Sequence, residues 1–224
     1  MVPFSLCIPS CQGLNHLLIQ MRLTKEIFGL GLVLALVEKG KCQSFDVPSG
    51  ICHFSLSSYT GGWYELATSH NVSQTIEVGC ICSSVYYTTN TTDSSVLDLT
   101  NSCIRWGNYY SVSGNAYSNL YDTDGSLFVN FTTWPFQNKK QDTQVPNYII
   151  LKTYDDLGYA LVGGNNENYW WLLSRSPNWN ETVWNNARYV LLSNGYSVGN
   201  YSHTEQSCQF LGGHNDQNLI PPGS

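Results

Sequence analysis

The chain has 224 residues, of which 42% are hydrophobic, 13% aromatic and only 12% charged. That is enough apolar material for a packed core and too little charge for intrinsic disorder, and the length suits one large β domain or two small ones. Ten Lys and Arg against 16 Asp and Glu leave a formal net charge of -6, with no basic run to neutralise phosphates, which excludes nucleic acid as the obvious partner.

No apolar stretch reaches the roughly 18 to 20 residues that cross a bilayer as a helix, so no transmembrane segment is expected. Ile27 to Val37 is eleven residues without a charge, preceded by Arg22 and Lys25 and by the internal Met21. A basic stretch followed by a short apolar one is the layout of a secretory signal peptide, here residues 21–42, with the cut between Gly40 and Ser44. Residues 1–20, with Cys7 and Cys11, are then an upstream extension. Six of the eight cysteines follow residue 41, which suits an oxidising compartment. Sequons at Asn71, Asn90, Asn130, Asn180 and Asn200 agree with secretion and mark candidate glycosylation sites.

Short runs of β-branched and aromatic residues then alternate with turn residues. They are Trp63–Ser69, Thr75–Thr88, Ser95–Trp106, Tyr109–Ala116, Ser126–Phe131, Asn147–Thr153, Tyr159–Val162 and Tyr169–Ser174. The Gly- and Asn-bearing segments between them tolerate positive φ and close hairpins, so the strands are expected in up-and-down antiparallel order. With no repeat and no linker, they make one domain. Between Pro177 and Gly195, Val183, Trp184, Ala187, Val190 and Leu191 form one helical stripe, stopped at Asn194-Gly195 with Tyr196 packing back. An eight-stranded sheet that must hide its edges, followed by one amphipathic helix, predicts an all-β closed barrel with the helix packed outside. Residues 209–224 read as a disordered tail.

The segment Tyr59-Thr-Gly-Gly-Trp-Tyr-Glu-Leu-Ala67 resembles the lipocalin signature of a glycine, any residue and a tryptophan at the first strand. Tyr159-Ala-Leu-Val162 and Tyr169 to Pro177, with an arginine at the exit, resemble the last two lipocalin strands. Ile149 to Tyr154, Glu181-Thr-Val183 and Thr204-Glu-Gln-Ser-Cys208 are similar to the subgroup of apolipoprotein D, bilin-binding proteins and bacterial outer-membrane lipocalins. The similarity covers residues 45–208, although residues 89–145, which form much of such a pocket, are carried only by strand count.

The resemblance implies that Gly61 and Trp63 lie at the closed base, with Arg175 across the Trp63 indole as a cation–π stack. Trp171 shares strand parity with Arg175, so it faces the cavity where Arg175 faces the base, and Trp170 faces the opposite way. The resemblance also implies a disulfide between Cys80 and Cys208. Cys42, Cys52, Cys82 and Cys103 remain, with three possible pairings, of which Cys82 with Cys103 and Cys42 with Cys52 is the first choice.

The implied function is a secreted carrier of a small hydrophobic ligand of the fatty acid, steroid, retinoid or tetrapyrrole class, with no cofactor or metal. Trp106, Trp134, Tyr148 and Trp171 are the expected apolar lining. Only Arg105, Lys139, Lys140, Lys152, Arg175 and Arg188 follow residue 41 as cations, too few to organise a highly anionic ligand. One alternative is a structural glycoprotein whose barrel is filled by its own side chains. The other is a lipocalin-fold enzyme using Cys82 as a pocket thiol, disfavoured because a cysteine in an oxidised secreted domain is more often half of a disulfide. No serine triad or zinc hook is present, and His203 and His214 read as solvated.

Overall fold

A computed structural model of the chain describes residues 46–118, 124–132 and 145–208. The expected signal segment, Cys42, Trp134 and the residues after Cys208 lie outside these residues. Eight strands follow one another in chain order, every neighbour antiparallel: β1 (Gly61–Ser69), β2 (Cys80–Thr89), β3 (Val96–Arg105), β4 (Asn108–Ser118), β5 (Ser126–Phe131), β6 (Tyr148–Tyr154), β7 (Tyr159–Gly163) and β8 (Trp170–Ser174). β8 pairs with β1, and β1 returns to β2 through Gly61–Tyr64 against Ser84–Tyr87, which closes the ring and removes the exposed edges of an open sheet.

The closure is shared with a strap that the strand pattern did not reveal. Beyond Tyr64 the first two strands separate, and β9 (Tyr201–His203) pairs with Ala67–Ser69 of β1. The strap continues between them, with the Cys82 amide donating to the Glu205 carbonyl at 2.6 Å and Gln206 Nε2 donating to the carbonyls of Glu65 and Ser83. On the other side of the barrel β5 and β6 share only two register pairs. The side-chain amide of Asn147 extends that ladder, accepting from the Val129 amide at 2.7 Å and donating to the Val129 carbonyl at 2.9 Å.

Two apolar layers result from strand alternation. Trp63, Tyr87, Leu97, Leu127, Ile150 and Val162 pack inside the ring. Leu66, Leu161, Trp170 and Leu172 point outward and are covered by Val183, Trp184, Ala187 and Leu191 of the late helix α3 (Glu181–Ser193). Asn180 caps α3 by accepting the Val183 amide, and the Tyr196 amide closes its far end on the Leu191 carbonyl at 2.9 Å. Gly163 lets the two layers meet: a Cβ there would lie 2.2 Å from Tyr196 Oη, which donates to the Gly164 carbonyl.

The expected strand from Thr75 is corrected at its start. Residues 70–75 form a short helix α2 (His70–Thr75), following α1 (Leu56–Tyr59) in chain order, and β2 begins only at Cys80. Ser69 accepts the Val72 amide at 3.4 Å and Val72 is fully buried, so a local cap and one apolar anchor win over the β-branched residues. Among the described residues no helix is long and apolar enough to cross a membrane.

Candidate functional site

Up-and-down order puts the start of β1 and the end of β8 at one end of the barrel, the base. Trp63 is 5% exposed there, donates Nε1 to the Tyr59 carbonyl at 2.9 Å and stacks 4.9 Å from the Tyr59 ring. The Arg175 guanidinium carbon sits 3.6 Å from the Trp63 ring centroid, and its nitrogens donate to the carbonyls of Gly62 and Ser58. Gly61 adopts φ +90°, and a Cβ there would lie 3.1 Å from Arg175 Nη1, so the position needs glycine both for its backbone and for the arginine's approach.

Next to Trp63, Tyr148 Oη accepts from Tyr87 Oη at 2.9 Å and bonds to Tyr59 Oη at 3.0 Å. Burial pushes all three phenols well above their ordinary range, so they stay neutral and form a polar knot in an apolar interior. Trp171 is half-buried against the interior cluster and donates Nε1 to Glu77 Oε1 at 3.2 Å. Trp170 has the opposite parity: it is fully buried outside the ring, 5.6 Å from Trp184, with Nε1 on the Ser197 carbonyl.

Two expectations are corrected here. Trp106 does not line the interior: Arg105 pairs with Asn108, which leaves Trp106-Gly107 as a two-residue turn with both residues at positive φ, and the indole is 72% exposed. Cys80 is not joined to Cys208, nor Cys82 to Cys103; the bridges are Cys80–Cys103 and Cys82–Cys208. A register shift between Ile81 and Ser84, with Cys82 at φ 53°, turns Cys82 out of strand alternation toward the strap. Cys80 is left against β3. Cys82 is therefore no free thiol, and Cys52 is also disulfide-bonded.

A family model described as a lipocalin-like domain matches residues 54–206. The chain belongs to the lipocalin family. It is 28% identical over 152 residues to a protein described as a lipocalin in Acanthamoeba polyphaga mimivirus, covering 65% of this chain and 80% of that one. It is 32% identical over 129 residues to the outer membrane lipoprotein Blc of Vibrio cholerae, covering 57% and 68%. Among solved structures, lobster apocrustacyanin superposes with a TM-score of 0.53 at 20% identity, covering 75% of this chain and 94% of that one. Insecticyanin from the tobacco hornworm Manduca sexta gives 0.52 at 18%, covering 71% and 84%.

This lipocalin has an interior carboxyl pair that sequence reading missed. Glu65 is 5% exposed, on the same side of β1 as Trp63, and neighbours Glu77 from the segment between α2 and β2. Thr204 Oγ1 of the strap donates to Glu65 Oε1 at 2.5 Å. Burial raises both carboxyls, and the neighbouring Glu77 raises Glu65 further, whereas the hydrogen bonds from Glu65 and Trp171, together with the Arg105 charge, hold Glu77 down in part. The parity of Trp63 and Glu65 was the available signal; nothing in the spacing pointed to Glu77.

The sequons of the lipocalin differ in access. Asn71 and Asn200 are exposed beside one shallow cleft of about 170 Å³, which His70 and Asn168 also line. Asn90 donates to both Asp98 oxygens and accepts from Thr92 and Asp93, Asn130 donates to Tyr117 Oη, and Asn180 caps α3.

Proposed function

We propose that this lipocalin binds one elongated or planar apolar molecule, of the fatty acid, steroid, retinoid or tetrapyrrole class, inside the barrel above the tyrosine knot. The observation that carries the reading is Trp171, an interior-facing indole on a ring whose inward positions are otherwise mainly aliphatic and aromatic. Binding would rest on burial, at roughly 25 cal/mol for each Å² of apolar surface removed from water, less the cost of immobilising the ligand. Tyr148 belongs to the same lining, and the role expected of Trp134 lies outside the described residues.

Titration with a retinoid, a steroid, a fatty acid and a bilin is expected to quench Trp171 emission for the class that fits. Trp171→Ala should weaken that binding about tenfold or more while leaving the melting temperature nearly unchanged. Four titrations that move neither emission nor melting temperature would favour the second reading, a filled barrel. That reading draws on the complete burial of Leu97, Leu127, Ile150, Ala160 and Val162 within the ring.

The likeness to apolipoprotein D and bilin-binding proteins, the five sequons and the cysteines support a secreted, glycosylated carrier rather than an enzyme. Amino-terminal sequencing of protein collected outside the cell is expected to show a start between residues 40 and 46, and a mature chain retaining Met21 would refute the signal segment. Asn71 and Asn200 are the sequons best placed for glycans.

A further inference from the structure

The tyrosine knot carries one more hydroxyl proton than it uses. A phenol hydroxyl offers one donor and two acceptor positions. Tyr87 gives its proton to Tyr148 at 2.9 Å, and the contact between Tyr59 and Tyr148 at 3.0 Å takes one proton more, from whichever of the two donates. Three protons thus serve two bonds, and among the described residues these hydroxyls have no other partner.

Burial decides which hydroxyl keeps the third proton. Tyr59 is 1% exposed, its ring boxed in by Phe54 at 5.4 Å, Trp63 at 4.9 Å and Tyr87 at 5.1 Å. A donor left over on Tyr59 would be buried without an acceptor, and giving that proton to Tyr148 removes the cost. Tyr148 then accepts twice and holds the leftover proton. It is also the accessible member of the knot: with Phe131 and Trp171 it belongs to the strand residues that pack on the interior cluster and stay only partly buried, whereas Tyr87 is buried.

We propose that Tyr148 Oη, its acceptor positions filled by Tyr59 and Tyr87, is a head-group subsite that donates one hydrogen bond to an uncharged oxygen of the apolar ligand and discriminates against a free carboxylate. A ligand that displaces water from this hydroxyl has to supply an acceptor in its place. An ester, ketone or alcohol oxygen does so without bringing a charge. A carboxylate has two oxygens and about four lone-pair sites, which need several donors or a cation once out of water, and the knot offers one neutral donor. Arg175 does not fill that need: it is engaged by the Trp63 ring and by the carbonyls of Gly62 and Ser58, and among the described residues no bond joins it to the knot. The ligand is then a neutral oxygenated molecule with its oxygen toward the knot.

The subsite rests on the ligand-binding reading, and the test separates the two. Palmitic acid, retinoic acid, cholanic acid and biliverdin are each titrated against the methyl ester at about pH 8, where the acids are ionised and phenols keep their protons, with Trp171 emission as the readout. In the class that fits, the ester is expected to bind at least about tenfold tighter than its acid. Tyr148→Phe keeps the ring and loses the hydroxyl; it should weaken the ester about tenfold and leave the acid nearly unchanged, with a thermal melt showing that the variant is folded. Should that variant fail to fold, the carbonyl stretch of the bound ester decides in the unaltered chain, where it should lie at lower wavenumber than in hexane. An acid that binds as tightly as its ester, an ester preference that survives Tyr148→Phe, or an unshifted carbonyl overturns the subsite while the interior site stands. Quenching by none of these compounds removes the ligand-binding reading, and the subsite with it.

Discussion

Trp63→Ala is expected to lower the unfolding free energy by about 3 to 5 kcal/mol, the range for emptying a large aromatic site in a packed core. The indole fills the base between Tyr59 and the guanidinium of Arg175, and its Nε1 is bonded to the Tyr59 carbonyl. Alanine leaves a cavity, removes that bond and strips the arginine of a ring face worth about 0.5 to 2 kcal/mol. Arg175 keeps its bonds to the Gly62 and Ser58 carbonyls, so the first turn of the chain into β1 should stay in place. Denaturant unfolding reads the effect. A loss below about 1 kcal/mol would mean that α1 and the tyrosines seal the base without the indole. Any change in ligand affinity should be indirect and smaller than that of Trp171→Ala, because Trp63 lies at the closed base.

The second large effect is expected at the long-range bridge. Cys82 and Cys208 are 126 residues apart, so replacing both with serine should cost about 5 kcal/mol in the chain-entropy account, whereas the Cys80–Cys103 bridge, at a separation of 23, should cost about 3.5 kcal/mol. The long-range loss should also have a location. The bridge ties the strap to β2 beside the bond from the Cys82 amide to Glu205, and the strap fills the gap between β1 and β2. Amide exchange in residues 201–207 should therefore accelerate before the eight-stranded ring melts. Denaturant unfolding of the two serine pairs, with non-reducing peptide mapping of the unaltered chain, checks both points. A Cys208 peptide bridged to Cys80 would refute the pairing, and equal losses in the two serine pairs would refute the separation argument.

The strands were readable because their signals are local. The alternation of Trp63, Tyr87, Leu97 and Val162 with outward residues is a property of a few consecutive positions, and it places Trp170 and Trp171 on opposite faces before any fold is known. The stripe of α3 and its stop at Asn194-Gly195 are local in the same way, as is the barrel that follows from strand order. Trp106 shows where local reading ends. Its run continued the β3 pattern, but the Arg105–Asn108 pairing, a property of two strands, made it a turn residue.

Pairing over distance is where the sequence is silent. Cys80 and Cys82 are near-equivalent as letters. A register shift in β2 and a strap arriving from more than a hundred residues away choose Cys82 for Cys208. The same holds for Glu65 and Glu77, which become neighbours only because a loop folds onto a strand that it does not pair with. Local alternation and turn chemistry are set by neighbours along the chain, so composition and order were sufficient for the barrel and its outer helix. Contacts between carboxyls, cysteines and the closing strap depend on which distant segments share a ring, and only the folded chain brings them within reach.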